Sequence, residues 1–143
     1  MIIEESIFIN APINKVWQTF TDLTCWLRWN SVLKNVTTEQ AYIKKGKTFS
    51  CAIWLFLFPV YFEFFIEEVI PNDRIVWSGS KYGIFARHEF IFQTVEKGVR
   101  VTSKETFQGI TIENIAFIFP SWRIREMTKS LLGDLKKASE ALL

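Results

Sequence analysis

The sequence predicts an α+β protein in which a seven-stranded antiparallel sheet curves around one long C-terminal helix, with two short helices after the first strand. Three observations carry this. Within Ser121–Leu143, the residues Ile124, Met127, Leu131, Leu135, Ala138 and Leu142 recur at spacings of 3 or 4, which places them on one helical stripe. Between residues 33 and 108, runs rich in Phe, Ile, Val, Trp and Thr are separated by turn chemistry at Lys45-Gly46, Phe58-Pro59, Pro71-Asn72-Asp73, Tyr82-Gly83 and Lys97-Gly98. An apolar helical stripe needs a partner, and a sheet is the only one the chain offers.

In order, Ile2–Asn10 alternates as a first strand. Ala11-Pro12 then opens a short helix through Phe20, with Pro12 expected at its first position and Val16, Trp17 and Phe20 on its apolar face. Asp22–Asn30 reads as a second short helix. Strands are expected at Leu33–Tyr42, Thr48–Leu57, Val60–Ile70, Arg74–Lys81, Ile84–Glu96 and Val99–Gln108. The stretch Cys51–Ile66 carries only Glu63 as a charge, yet it falls short of the ~20 residues of a spanning helix and Pro59 divides it, so it reads as two buried strands. Ser121 is expected to cap the last helix, whose Arg123, Arg125, Lys129, Lys136, Lys137 and Glu140 face mainly solvent. Gly133, in mid-helix, is expected to serve close packing or a slight bend.

A chain of 143 residues is expected to form one domain, residues 1–143. Its 14 Phe and 6 Trp are more aromatic surface than one compact core of this size needs, which suggests a cavity. The 17 basic and 15 acidic residues are dispersed, so no nucleic-acid partner is implied. Cys25 and Cys51, with a single His, form no metal-ligand pattern and read as buried thiols; no metal and no cofactor are expected. Met1-Ile2-Ile3-Glu4-Glu5 is acidic where a signal peptide is basic, so a cytoplasmic location is expected.

Ile9-Asn10-Ala11-Pro12, Val16-Trp17, Thr21-Asp22-Leu23, Trp26 and Trp29-Asn30, then Arg74-Ile75-Val76-Trp77 after Pro71, resemble the START-like superfamily of polyketide cyclases/dehydrases and lipid-transport proteins (SRPBCC). So do His88-Glu89-Phe90, Gly98-Val99-Arg100-Val101-Thr102 and Glu105-Thr106-Phe107-Gln108-Gly109. Ser31 departs from the pattern, which often has Pro after Trp-Asn. The resemblance spans the whole chain and implies a helix-grip fold with an apolar cavity between sheet and helix. It also implies a range of functions, from lipid binding and polyketide ring closure to chaperone activation, among which fold does not choose.

Polar cavity residues follow from parity. With Lys97-Gly98 as a two-residue turn, Glu96 faces Val99, and His88, Phe90, Phe92, Ser103, Glu105 and Phe107 share one largely aromatic face, expected to be the inner one. His88 and Glu105 then become diagonal neighbours. The plain reading of that pair is a structural hydrogen bond. The sharper one is a polar anchor for a ligand, and a third is acid–base catalysis. Trp26, Trp29, Phe62, Phe64 and Trp77 from the body of the chain, and Met127 and Leu131 from the last helix, complete the candidate cavity wall.

In an antiparallel meander the Phe58-Pro59 turn, the Tyr82-Gly83 turn and the exit at Gln108-Gly109 lie at one end, so Phe58, Tyr82, Ile112 and Phe117 are expected to form an apolar portal that rests on a bilayer. The expected function is binding, transport or sensing of a hydrophobic small molecule such as a lipid or polyketide. The alternatives are a cyclase or dehydratase that uses His88 and Glu105, and a protein-binding module resembling Hsp90 activators.

Overall fold

Alternating side chains build the strands, and residues that accept positive φ turn them. In the computed structural model, which describes residues 1–109 and 120–141, the order is β1 (Ile2–Ile9), α1 (Ile13–Thr21), a 3-10 turn (Leu23–Cys25), α2 (Trp26–Trp29), β2 (Lys34–Thr37), β3 (Thr48–Trp54), β4 (Pro59–Ile70), β5 (Arg74–Lys81), β6 (Ile84–Val95), β7 (Gly98–Gln108) and α3 (Ser121–Glu140). The strands form one antiparallel sheet in the order β1-β7-β6-β5-β4-β3-β2. Tyr82 and Gly83 both take positive φ, 55° and 76°, as a two-residue hairpin loop requires, and Lys81 pairs with Ile84 across it.

The β6–β7 register differs from the expected one. Val95 pairs with Gly98 and Thr94 with Val99, so Glu96 and Lys97 form the turn and Glu96 takes the positive φ of 48°. Gly98 serves close approach instead: a Cβ there would lie 2.4 Å from the Ile9 carbonyl oxygen and 2.6 Å from the Phe8 ring. Each residue consequently pairs two positions away from the expected partner, and because the side-chain period is 2 the shared inner face is unchanged.

β2 is shorter than expected. Asn35 sits at φ 53°, the pairing slips between Lys34↔Ala52 and Thr37↔Ser50, and the chain leaves the sheet. The following segment is tied instead to the end of α1 and its exit by Ala41 O, which accepts from Leu23 N (2.8 Å), and by Ile43 N, which donates to Thr21 O (2.9 Å). Both longer helices start on a proline carbonyl: Pro12 O accepts from Lys15 N and Val16 N, and Pro120 O from Arg123 N and Ile124 N, all at 3.1 Å. Pro12 is therefore the residue before α1 rather than its first, and Ser121 is already helical rather than the cap.

The buried stripe of α3 is Ile124, Thr128, Leu131, Leu132, Leu135 and Ser139. Met127 and Ala138 are only half-buried, and Leu142 lies outside the described residues. Thr128 fits the stripe because its hydroxyl donates to Ile124 O at 2.9 Å. The polar residues expected in solvent fasten the helix to the edge of the sheet: Arg125 Nη1 reaches Glu5 Oε1 at 2.6 Å, Lys136 Nζ donates to Phe8 O at 2.9 Å, and Glu140 Oε2 accepts from Asn10 N at 2.7 Å. α3 packs most closely on β1 and then on α1. Leaning to that side, it stands away from the middle strands.

Candidate functional site

Opposed residues of antiparallel strands share a face, so the pairing gives the inner surface row by row. One row runs Ile3, Glu105, His88, Trp77, Ile66 across β1, β7, β6, β5 and β4. The next runs Phe107, Ala86, Gly79, and the one beyond holds Ile84 and Lys81. In the middle row two neighbouring strands contribute a methyl group and a hydrogen. Gly79 is fixed by close approach, since a Cβ would meet Glu63 O at 2.8 Å and the Phe64 ring at 3.2 Å.

Above this bare floor stand Ile124, Met127, Thr128 and Leu131 of α3, with Phe62 and Phe64 of β4, Ile53 and Leu55, and Val32 and Leu33 as walls. The result is an apolar pocket with about 810 Å³ of empty space, its open mouth included.

At its polar end His88 Nδ1 lies 2.9 Å from Glu105 Oε1, and Nε2 lies 2.5 Å from Ser103 Oγ. A carboxylate only accepts, so Nδ1 carries the proton; the Ser103 hydroxyl donates to Nε2 of a neutral ring and accepts from a charged one by rotating. The ring stacks on Phe90 at 4.0 Å between centroids and meets Trp77 edge-on at 5.6 Å. The pair is directly opposed rather than diagonal, as the corrected register requires.

Of the residues expected in the cavity wall, Phe62, Phe64, Trp77, His88, Glu105, Phe107, Met127 and Leu131 line the pocket. Trp26, Trp29, Phe90, Phe92 and Ser103 do not. The four aromatic rings gather around Phe20 of α1, at centroid distances of 5.9, 6.3, 4.7 and 5.7 Å, because α1 and α2 cover that end of the sheet and turn its inner face into solid core. Ser103, fully buried, supports His88 from behind. Sequence reasoning missed Gly79, Lys81, Ile84 and Ala86, although the parity that selects His88 and Trp77 selects them too if followed toward the Tyr82-Gly83 turn. Val32, Leu33, Ile53, Leu55, Ile124 and Thr128 were not singled out as wall residues either.

Of the two thiols, Cys51 is buried and desolvation pushes it up to about 12, so it supplies no nucleophile at neutral pH. Cys25 is half-buried, not buried as expected, because its thiol donates to Asp22 Oδ2 (3.4 Å) on the outer side of the 3-10 turn.

The end of the sheet beyond Ile84 carries exposed apolar residues. Leu57, Phe58, Tyr82 and Trp122 are 81%, 76%, 63% and 60% exposed. The β3–β4 loop is held to the start of α3 by Arg123, whose Nε donates to Leu55 O at 2.6 Å and Nη2 to Trp54 O at 2.9 Å, and by Phe56 packed 6.0 Å from Trp122. Ile112 and Phe117, the other two residues expected at a portal, lie outside the described residues. No described helix is long and apolar enough to cross a membrane.

A curved seven-stranded antiparallel sheet, short helices after β1 and a C-terminal helix over an apolar pocket define a helix-grip protein. The chain belongs to the polyketide cyclase / dehydrase and lipid transport family, whose model matches residues 1–140. Among solved structures it is similar to the hypothetical protein jhp0584 from Helicobacter pylori, with a TM-score of 0.80 and 18% identity over 98% of this chain and 88% of that one. TTHA0849 from Thermus thermophilus is similar with a TM-score of 0.80 and 14% identity, over 97% of each chain. DynU16, a putative protein in the dynemicin biosynthetic locus, matches with a TM-score of 0.74 and 15% identity over 98% of this chain, which spans only 47% of DynU16. Likeness at these identities shows the fold. No curated protein matches the chain.

Proposed function

We propose that this protein binds a hydrophobic small molecule in the pocket between α3 and the sheet. The observation that carries this is the bare floor at Ala86, which lies beside Gly79 on the inner face beneath α3: a larger side chain at Ala86 would close the space, while Gly79 lets the Phe64 ring pack close at its edge. Its lining is apolar except for Lys81, the His88–Glu105 pair and Thr128, whose hydroxyl is already bonded to Ile124 O, as in ligand sites where a few polar groups orient an apolar guest.

The ligand enters at the end formed by Phe58 and Tyr82, which rests on a bilayer while the pocket opens toward it. The unpaired thiols of Cys25 and Cys51 fit a reducing compartment, and we place the protein in the cytoplasm.

Transfer of an apolar fluorophore from phosphatidylcholine vesicles tests both parts. The wild type should extract the fluorophore, and Phe58→Asp should extract it more slowly while binding it equally well in solution. A folded wild type that takes up no apolar fluorophore contradicts the pocket; an unchanged transfer rate contradicts the portal. One observation favours a second reading, a cyclase- or dehydratase-type enzyme: the 2.9 Å His88–Glu105 contact faces the pocket, as a general acid–base pair must.

A further inference from the structure

Lys81 is an anomaly on the inner face. It is paired with the buried Ile84 and lines the pocket, in a position where strand alternation calls for an apolar residue. Its ammonium donates to the Tyr61 carbonyl and lies 5.8 Å and 5.6 Å from the ring centroids of Phe62 and Tyr82. None of the ion pairs among the described residues involves it. An ammonium carries three donors and the Tyr61 carbonyl takes one, so donors remain for an anion at the mouth of the pocket.

We propose that Lys81 is the headgroup site of the pocket and that the ligand is an elongated hydrophobic carboxylic acid, an inference that rests on the pocket-binding reading above. Its carboxylate sits against Lys81 at the mouth and its apolar chain lies over Ala86 and Gly79 toward His88. The opposite orientation would bring two carboxylates together, because the far end of the pocket carries Glu105. A single lysine with no arginine fork beside it in the lining matches one negative charge rather than a phosphate. From Ile84, the partner of Lys81, to His88 the strand advances roughly 14 Å, the span of an extended chain of about ten carbons.

Calorimetric titration of decanoate and of decanol into the wild type and into Lys81→Met tests this. The methionine keeps most of the apolar stem and removes the charge. Decanoate should bind the wild type about tenfold more tightly than decanol, and Lys81→Met should erase that difference by weakening decanoate alone. Decanol bound as tightly as decanoate by the wild type overturns the headgroup site while leaving the apolar pocket standing, a comparison that needs no variant. Equal decanoate affinity in wild type and Lys81→Met overturns it likewise. If the wild type binds neither ligand, the pocket-binding reading falls and the headgroup site falls with it.

Discussion

Both ring nitrogens of His88 are engaged within the protein, one by Glu105 and one by Ser103. On the binding reading the imidazole is a positioning group: it fixes Glu105 at the pocket's inner end and satisfies a hydroxyl that is fully buried. Replacing it should be felt mainly by the fold. His88→Gln is predicted to lower stability by about 1–3 kcal/mol, the cost of stranding a buried polar group, and to change affinity for an apolar ligand by less than about tenfold. Urea denaturation and ligand titration measure the two effects. Undiminished stability together with turnover lost by orders of magnitude would instead assign His88 to catalysis. The shared face of His88 and Glu105 was legible in the sequence because side-chain parity survives a register error of two; their direct opposition was not, because Gly98 looks like a turn residue and is in fact a point of close approach to Ile9 and Phe8. Lys81 was overlooked for a similar reason. A charge beside a turn reads as solvent-facing until its partner Ile84 is known to be buried.

The element that shapes the pocket is α3, and its apolar periodicity located it in the sequence to within a few residues. The stripe was less legible than the helix. Thr128 and Ser139 are buried on it in place of Met127 and Ala138, and the Thr128 hydroxyl, which bonds within its own helix, is indistinguishable in sequence from one that bonds water. Leu131→Ala should destabilise the protein by roughly 2–5 kcal/mol, whereas exposed Lys129→Ala should have almost no effect. Gly133 serves no close packing: a Cβ there has nothing within 4 Å, so Gly133→Ala should stabilise the helix by roughly 1 kcal/mol. Denaturant midpoints for the three variants check the assignment. A destabilising Gly133→Ala, or equal costs for Leu131 and Lys129, would contradict it.

At the scale of the whole molecule, the inner face of the sheet divides into two regions by what covers it. Where α1 and α2 lie over the sheet, Phe20, Trp26, Phe49, Trp77 and Phe90 interlock in a solid aromatic core. Where, among the described residues, only α3 lies over it, held toward β1 by Arg125, Lys136 and Glu140, the small Ala86 leaves space between helix and sheet. The sequence announced the surplus of aromatic rings and the sheet-around-helix arrangement. It did not tell which rings fill the core and which line the pocket, because that depends on where two short helices dock across the sheet, and their docking is set by contacts distant in the chain. If the space above Ala86 is a binding volume, Ala86→Trp fills it from the sheet side while His88, Glu105 and Lys81 all keep their own side chains. Titrated with an apolar fluorophore, the wild type should show saturable binding, and Ala86→Trp, with its unfolding transition retained, should show none; a folded Ala86→Trp that binds as tightly as the wild type would contradict the account.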